Sequence, residues 1–207
     1  MGDFLHSLFS SEGLRQMVTN GGIPVLCLII FAETGLLVGF FLPGDTLLFL
    51  AGSLAATGEI EMNVFVMIVL LTLAAIIGNS VGYYIGAKAG KKSFDRPNSQ
   101  FFKREYLIKT HNFYEKYGGI TMILARFLPI VRTFAPVVGG TVGMSKQRFT
   151  IYNIVGGILW IGGVTMLGFY LGKTFPDIIK YLQIAVVGVV IVSLCLPVVG
   201  WLKSRMK

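Results

Sequence analysis

An apolar block from Ile23 to Thr57 constrains this chain more than any other stretch, because its length suits neither one membrane span nor two. One spanning helix takes about 20 residues and two take about 40. The block is interrupted by Pro43-Gly44-Asp45 and carries a second carboxylate, Glu33, upstream. Proline lacks the N–H that a helix ladder needs and glycine takes turn geometry readily, so a helix breaks there. Irregular backbone at membrane depth survives only where protein buries it or a wet cavity lines it. The reading is therefore a re-entrant hairpin over 23–57: residues 23–41 enter, Pro43 and Gly44 form the tip, and 46–56 return. Asp45 then sits at the tip and Glu33 about halfway down the entering arm. Each carboxylate costs about 2.5–3.5 kcal/mol at such depth, so each calls for a partner.

Composition sets the class. With 54% hydrophobic and only 14% charged residues among 207, this is an all-α integral membrane protein with no room for a sizeable soluble domain. The N-terminus lacks a basic n-region and a small-residue cleavage site, so no leader is expected to be removed. The net charge of +8 is concentrated in loops, which makes it a topology signal and argues against a nucleic-acid partner. Cys27 and Cys195 lie in separate apolar runs without disulfide or zinc spacing, and His6 and His111 each lack a second ligand at metal spacing. No metal and no cofactor are expected.

Along the chain, residues 1–22 suit an interfacial helix with Leu14, Met17 and Val18 on its apolar side. An acidic connector, Gly58-Glu59-Ile60-Glu61, favours the outside, and 63–86 is long enough to span. Residues 87–117 hold eight Lys or Arg against three Asp or Glu. Interleaved with Phe101, Phe102, Tyr106, Phe113 and Tyr117, they read as a basic amphipathic segment on the cytoplasmic face. Residues 118–144 repeat the oddity of the opening block, being apolar yet carrying Arg126, Pro129, Arg132 and Pro136. This is read as a second re-entrant hairpin with its tip between Pro129 and Pro136, and with Gly139-Gly140 letting its exit arm pack closely. Spans over 149–172 and 178–202 follow, then a basic tail, 203–207, that puts the C-terminus in the cytoplasm.

A weak internal repeat ties these parts together. Gly82-Tyr83-Tyr84-Ile85-Gly86-Ala87-Lys88 is matched by Gly168-Phe169-Tyr170-Leu171-Gly172-Lys173 at the end of the later span. Two such units of opposite orientation form an inverted repeat, with two hairpins facing each other from opposite sides of the membrane and about three full transmembrane helices around them. Glu33 and Asp45 then meet Arg126 and Arg132. Pairing alone would make the four a clamp. A carrier role explains them better, because buried ion pairs add little net stability while intramembrane charges commonly mark a pathway. Arginine's planar fork suits phosphate oxygens, and a carboxylate beside a phosphate repels it when ionised and tolerates it when protonated. Hence Arg126 and Arg132 are read as phosphate ligands, and Glu33 and Asp45 as proton-coupling gates.

Asn79 is read as an interhelical hydrogen bonder that also has a claim to line the pathway, and Gly78, Gly82 and Gly86 as close-packing positions. Trp160 and Trp201 are read as packing or interface residues. No G-x-S-x-G, H-E-x-x-H or Walker loop is present, so no enzyme activity is expected.

Four motifs together carry a family resemblance: Phe31-Ala32-Glu33-Thr34-Gly35; Phe41-Leu42-Pro43-Gly44-Asp45; Gly78-Asn79-Ser80-Val81-Gly82-Tyr83; and Arg126-Phe127-Leu128-Pro129-Ile130-Val131-Arg132-Thr133 with Ala135-Pro136 and Gly139-Gly140. In this order they resemble the bacterial DedA family, also called the SNARE-associated or VTT-domain family, over roughly Gly22 to Gly172. The resemblance implies facing re-entrant hairpins in the bacterial cytoplasmic membrane and a functional quartet at Glu33, Asp45, Arg126 and Arg132. It also implies translocation of undecaprenyl phosphate for reuse in envelope synthesis, linked to the proton motive force. Two transport alternatives stand beside it, a general phospholipid scramblase and a cation antiporter, the latter disfavoured by the arginines. From another class, a non-transporting scaffold would act through the basic segment. A homo-oligomer is left open.

Overall fold

The structure, a computed structural model, describes residues 11–36, 42–94 and 120–175. The expected span over 178–202, the tail 203–207 and most of the basic segment 87–117 lie outside the described residues. So does the start of the expected interfacial helix 1–22. Within the described residues every regular element is helical: α1 Ser11–Gly35, α2 Gly44–Thr57, α3 Val64–Phe94, α4 Pro129–Thr141 and α5 Lys146–Thr174, with a further helical turn over 120–125.

Three helices are long and apolar enough to cross a membrane, over Gly13–Gly35, Val64–Ala89 and Lys146–Thr174. The second and third lie over the expected spans 63–86 and 149–172. The first does not follow expectation, because the sequence reading divides it between the interfacial helix 1–22 and a hairpin arm 23–41. The division has a real physical source. Gly22 leaves helical geometry at φ 61° and ψ −165°, a conformation that only glycine takes readily. The chain nevertheless resumes its helix at once, and Pro24 falls in the first turn of the resumed segment, where its missing N–H costs little. The outcome is a kink inside α1, which stops at Gly35 short of Phe41.

Helix α3 shows why these long helices suit a bilayer. Met67, Leu71 and Ala75 are buried completely, whereas Phe65, Val69, Leu73 and Ile77, four residues apart along another face, are all at least half exposed. Such a stripe is costly in water and ordinary against lipid.

The described chain divides into two compact units, to which α1, α3 and α5 each contribute. The first unit comprises residues 11–26, 43–67 and 163–175. Its core is Leu14, Val18 and Leu26 of α1 with Leu47, Leu50 and Leu54 of α2. Here α2 crosses the end of α5 at close range. A Cβ added at Gly52 would fall on the Thr165 carbonyl, one at Gly168 on the Phe49 carbonyl, and Ser53 Oγ donates to the Gly168 carbonyl at 2.9 Å. Glycine at a crossing lets backbones approach, which is the main source of helix association in lipid. Gly58 caps α2 in the left-handed region, with its N–H bonded to the Leu54 carbonyl. At the exposed edge Arg15 donates through Nε and Nη2 to Glu59 Oε2.

The second unit comprises residues 27–36, 42, 68–94 and 120–162. Tyr83 stacks on Phe149 with ring centroids 4.3 Å apart and donates its hydroxyl to the Met144 carbonyl. Met122, Ala135 and Val142 pack around it. Helix α4 crosses α3 with the same device as the first unit. A Cβ at Gly140 would fall on the Tyr83 carbonyl, one at Gly86 on the Val137 carbonyl, and Thr141 Oγ1 donates to the Gly86 carbonyl at 3.2 Å. Helix α1 crosses α3 two turns earlier, where a Cβ at Gly35 would lie 2.8 Å from the Gly78 carbonyl oxygen.

The break in the second apolar block also corrects the sequence reading. The tip is expected between Pro129 and Pro136, but the chain is helical from Pro129 to Thr141 and turns instead at 126–128. Three successive i to i−3 bonds, from the N–H groups of Arg126, Phe127 and Leu128, tighten and end the preceding helix. Proline at the first helical position removes a donor that would have no partner anyway, so Pro129 starts a helix instead of breaking one. Pro136 sits inside α4. In the first block, Pro43 immediately precedes α2 and Gly44 is its first residue, so the break there falls where the sequence puts it.

Candidate functional site

The second unit gathers the buried charge. Glu33, on the last turn of α1, is fully buried, while Arg132, in the first turn of α4, is 6% exposed and Arg126, in the 126–128 turn, 3%. Arg132 Nη2 donates to Glu33 Oε1, and the ion pair joins positions 99 residues apart. Beneath it the Arg132 guanidinium carbon lies 4.5 Å from the centre of the Trp160 ring, a distance at which the negative ring face attracts a cation.

Arg126 is held differently. Its Nη2 donates to the Asn153 carbonyl at 3.0 Å and also to Asn153 Oδ1. Asn153 in turn donates through Nδ2 to the Ile76 carbonyl at 3.0 Å and to Ser80 Oγ at 3.3 Å, which ties α5 to α3. Asn79 completes the network. With its amide turned to satisfy both ends, its nitrogen donates to the Thr34 carbonyl at 3.0 Å and its oxygen accepts from Arg126 Nη2. Gly156 makes room for the arginine stem, since a Cβ there would lie 2.8 Å from Arg126 Cδ.

No carboxylate among the described residues forms an ion pair with Arg126, whereas Arg132 has Glu33. A buried excess of positive charge is expensive, and an anion seated beside it would offset the cost. The geometry of Arg132 sharpens the point. A cation in the first turn of a helix opposes the helix dipole, and Glu33 and Trp160 hold it there.

Of the expected quartet, the second unit buries Glu33, Arg126 and Arg132, pairing Glu33 with Arg132 and seating Arg126 on Asn153 and Asn79. Asp45 belongs to the first unit. It is half-buried in the first turn of α2, where the positive end of the helix dipole favours a carboxylate. Pro43 and Gly44 flank that helix start, and Pro129 and Pro136 belong to α4. Two site residues escape sequence reasoning. Asn153 is 2% exposed and is the hub of the Arg126 contacts, and its signal was the one that flagged Asn79: an amide in an apolar span. Trp160, read as packing, forms the floor under Arg132, and nothing local to its sequence announces that role.

A model of the VTT domain matches residues 42–170. Protein DedA of Escherichia coli (strain K12) is 48% identical over 195 residues, which is 93% of this chain and 89% of that protein. This chain belongs to the DedA family. Another member, Inner membrane protein YqjA of Escherichia coli (strain K12), is 38% identical over 76% of this chain and 70% of its own length. An uncharacterized membrane protein of Mycobacterium leprae (strain TN) is 44% identical over 83% of this chain and 76% of its own. No solved structure matches. The chain is thus a DedA-family membrane protein whose regular elements, among the described residues, are all helical.

Proposed function

We propose that this DedA-family protein carries undecaprenyl phosphate across the bacterial cytoplasmic membrane, coupled to protons, and that it is a carrier and not an enzyme. The observation that carries the reading is the buried pair of arginines, Arg126 and Arg132, of which Arg132 is paired with Glu33 and Arg126 with no carboxylate among the described residues. A phosphate headgroup supplies the missing negative charge, and arginine's fork matches its oxygens. While Glu33 is ionised it occupies Arg132 and competes with the phosphate. Protonation releases Arg132 to the headgroup, so proton entry and phosphate binding are linked through one guanidinium. Asp45 is the second proton-coupling group in this scheme.

The same reading keeps the two re-entrant hairpins, with α2 and α4 as their returning arms. Their 14 and 13 residues reach about 20 Å at 1.5 Å per residue, short of a hydrocarbon core of about 30 Å. The matched crossings of α2 on α5 and α4 on α3 support an inverted repeat. The basic loop and the C-terminus face the cytoplasm in this scheme, and the polyprenyl tail stays in lipid while the headgroup passes.

Translocation of labelled undecaprenyl phosphate in proteoliposomes, with and without a pH gradient, tests the proposal. Arg132→Ala should slow transport at least about tenfold, the effect of losing one charge-assisted contact. Glu33→Gln should remove the response to the gradient. The reading fails if folded wild-type protein moves no lipid or if both variants behave as wild type.

A further inference from the structure

Among the buried polar atoms of the second unit that have no hydrogen-bond partner among the described residues are Arg126 Nη1 and Thr72 Oγ1. A threonine or serine in a helix can satisfy its hydroxyl on its own backbone. Thr34, Ser80 and Thr141 each turn their hydroxyl back to the carbonyl four residues earlier, at 2.7, 2.7 and 2.9 Å, which satisfies it locally. Thr72 does not, although it is only 6% exposed. Both residues border Gly157, Arg126 with Nη1 and Thr72 with its methyl group. A Cβ placed there would lie 3.6 Å from Arg126 Nη1, 3.6 Å from Thr72 Cγ2 and 3.4 Å from Ile76 Cγ1. Those are ordinary contact distances, so an alanine would fit, and glycine leaves that volume open. Asn153 and Asn79 engage Nη2, which leaves Nη1 as the donor turned toward Gly157.

We propose that Thr72 is a further ligand-binding residue: its hydroxyl and Arg126 Nη1 together donate to one oxygen of a phosphate group, and Gly157 keeps the space for that oxygen. The inference rests on the carrier reading of Arg126 and extends it to α3. It gives the site one charged and one neutral donor at adjacent points, an arrangement that holds a phosphate oxygen in position as well as attracting it. A buried hydroxyl without a partner weakens a fold, and Thr72 differs from Thr165 in bordering the same glycine as a second unpartnered donor, Arg126 Nη1.

The test uses the full chain in detergent, titrated calorimetrically with undecaprenyl phosphate in one arm and inorganic phosphate in the other. Thermal unfolding without ligand is measured alongside. A wild-type response to the lipid alone assigns the headgroup as the source, and a response to inorganic phosphate assigns the free ion. Thr72→Val keeps the shape and removes the hydroxyl. It is expected to weaken binding about tenfold, the value of one hydrogen bond to a charged group, while Tm stays level or rises. Thr72→Ser should bind as wild type, and Gly157→Ala should fold normally yet bind more weakly. Thr165, buried in the first unit with an equally unpartnered hydroxyl, is the control: Thr165→Val should leave binding unchanged. Wild-type affinity in Thr72→Val, with Arg126→Ala defective, overturns this inference alone. Wild-type affinity in Arg126→Ala overturns the carrier reading and this inference with it.

Discussion

The crossing of α2 on α5 and the crossing of α4 on α3 use the same three contacts. Gly52 lies against the Thr165 carbonyl as Gly140 lies against that of Tyr83; Gly168 meets Phe49 as Gly86 meets Val137; and Ser53 bonds the Gly168 carbonyl as Thr141 bonds that of Gly86. Around these matching backbones the chemistry differs. The first unit surrounds its crossing with leucines and keeps its Arg15–Glu59 ion pair at the exposed edge. The second buries Glu33, Arg126 and Arg132 beside its crossing. The helix starts differ in the same sense. Asp45 complements the dipole of α2, whereas Arg132 opposes that of α4. One packing device therefore serves two different interiors: the first is apolar, and the second holds buried charges that the carrier reading assigns to a phosphate group.

The sharpest way to separate the two units is to remove their acidic partners. Glu33→Ala leaves Arg132 buried without its carboxylate and should cost about 3–5 kcal/mol of stability, read from thermal unfolding in detergent against wild type. If Glu33→Ala costs no more than a surface substitution, the buried charges of the second unit are already solvated and the contrast collapses. Next come the two glycines at the crossings. Gly52→Ala and Gly140→Ala each drive a methyl group onto a backbone carbonyl and should each cost about 1–3 kcal/mol. Comparable losses sustain the equivalence of the crossings, and a large loss at only one breaks it. The smallest expected effect is at the paired hydroxyls. Ser53→Ala and Thr141→Val each give up one interhelical hydrogen bond, worth about 0.6 kcal/mol in a membrane. A shift in Tm for one variant several times that of the other would mean that the matched contacts carry unequal loads.

Much of this arrangement is legible without coordinates, and its failures are instructive. Glu33, Arg126 and Arg132 stand out because a charge in an apolar run is conspicuous whatever surrounds it. Pro43-Gly44 marks a helix start because its backbone chemistry is local. Pro129 and Pro136 mislead for a related reason: proline breaks a helix from within but is welcome in its first turn, and only the position of the preceding turn at 126–128 decides between the two. Gly22 and Pro24 look like a boundary and prove to be a kink, because the apolar sequence on both sides sustains helix. The sequence similarity between the two glycine-flanked stretches does not carry over to the contacts in the same register. Sequence similarity aligns Gly82 with Gly168, whereas the contacts match Gly86 with Gly168, one helical turn away.

Composition and local backbone chemistry by themselves determined that this chain is a helical membrane protein, roughly where α2 and α5 start and stop, and which side chains are too costly to bury without a partner. Only the tertiary structure decided that Glu33 pairs with Arg132, that Arg126 rests instead on Asn153 and Asn79, and that Trp160 lies beneath Arg132. These contacts join segments 27 to 99 residues apart. Helical periodicity specifies which face a residue occupies, but partner choice depends on how far two helices slide before their glycines meet. At 1.5 Å of rise per residue, one turn of slippage would give every charge a different neighbour.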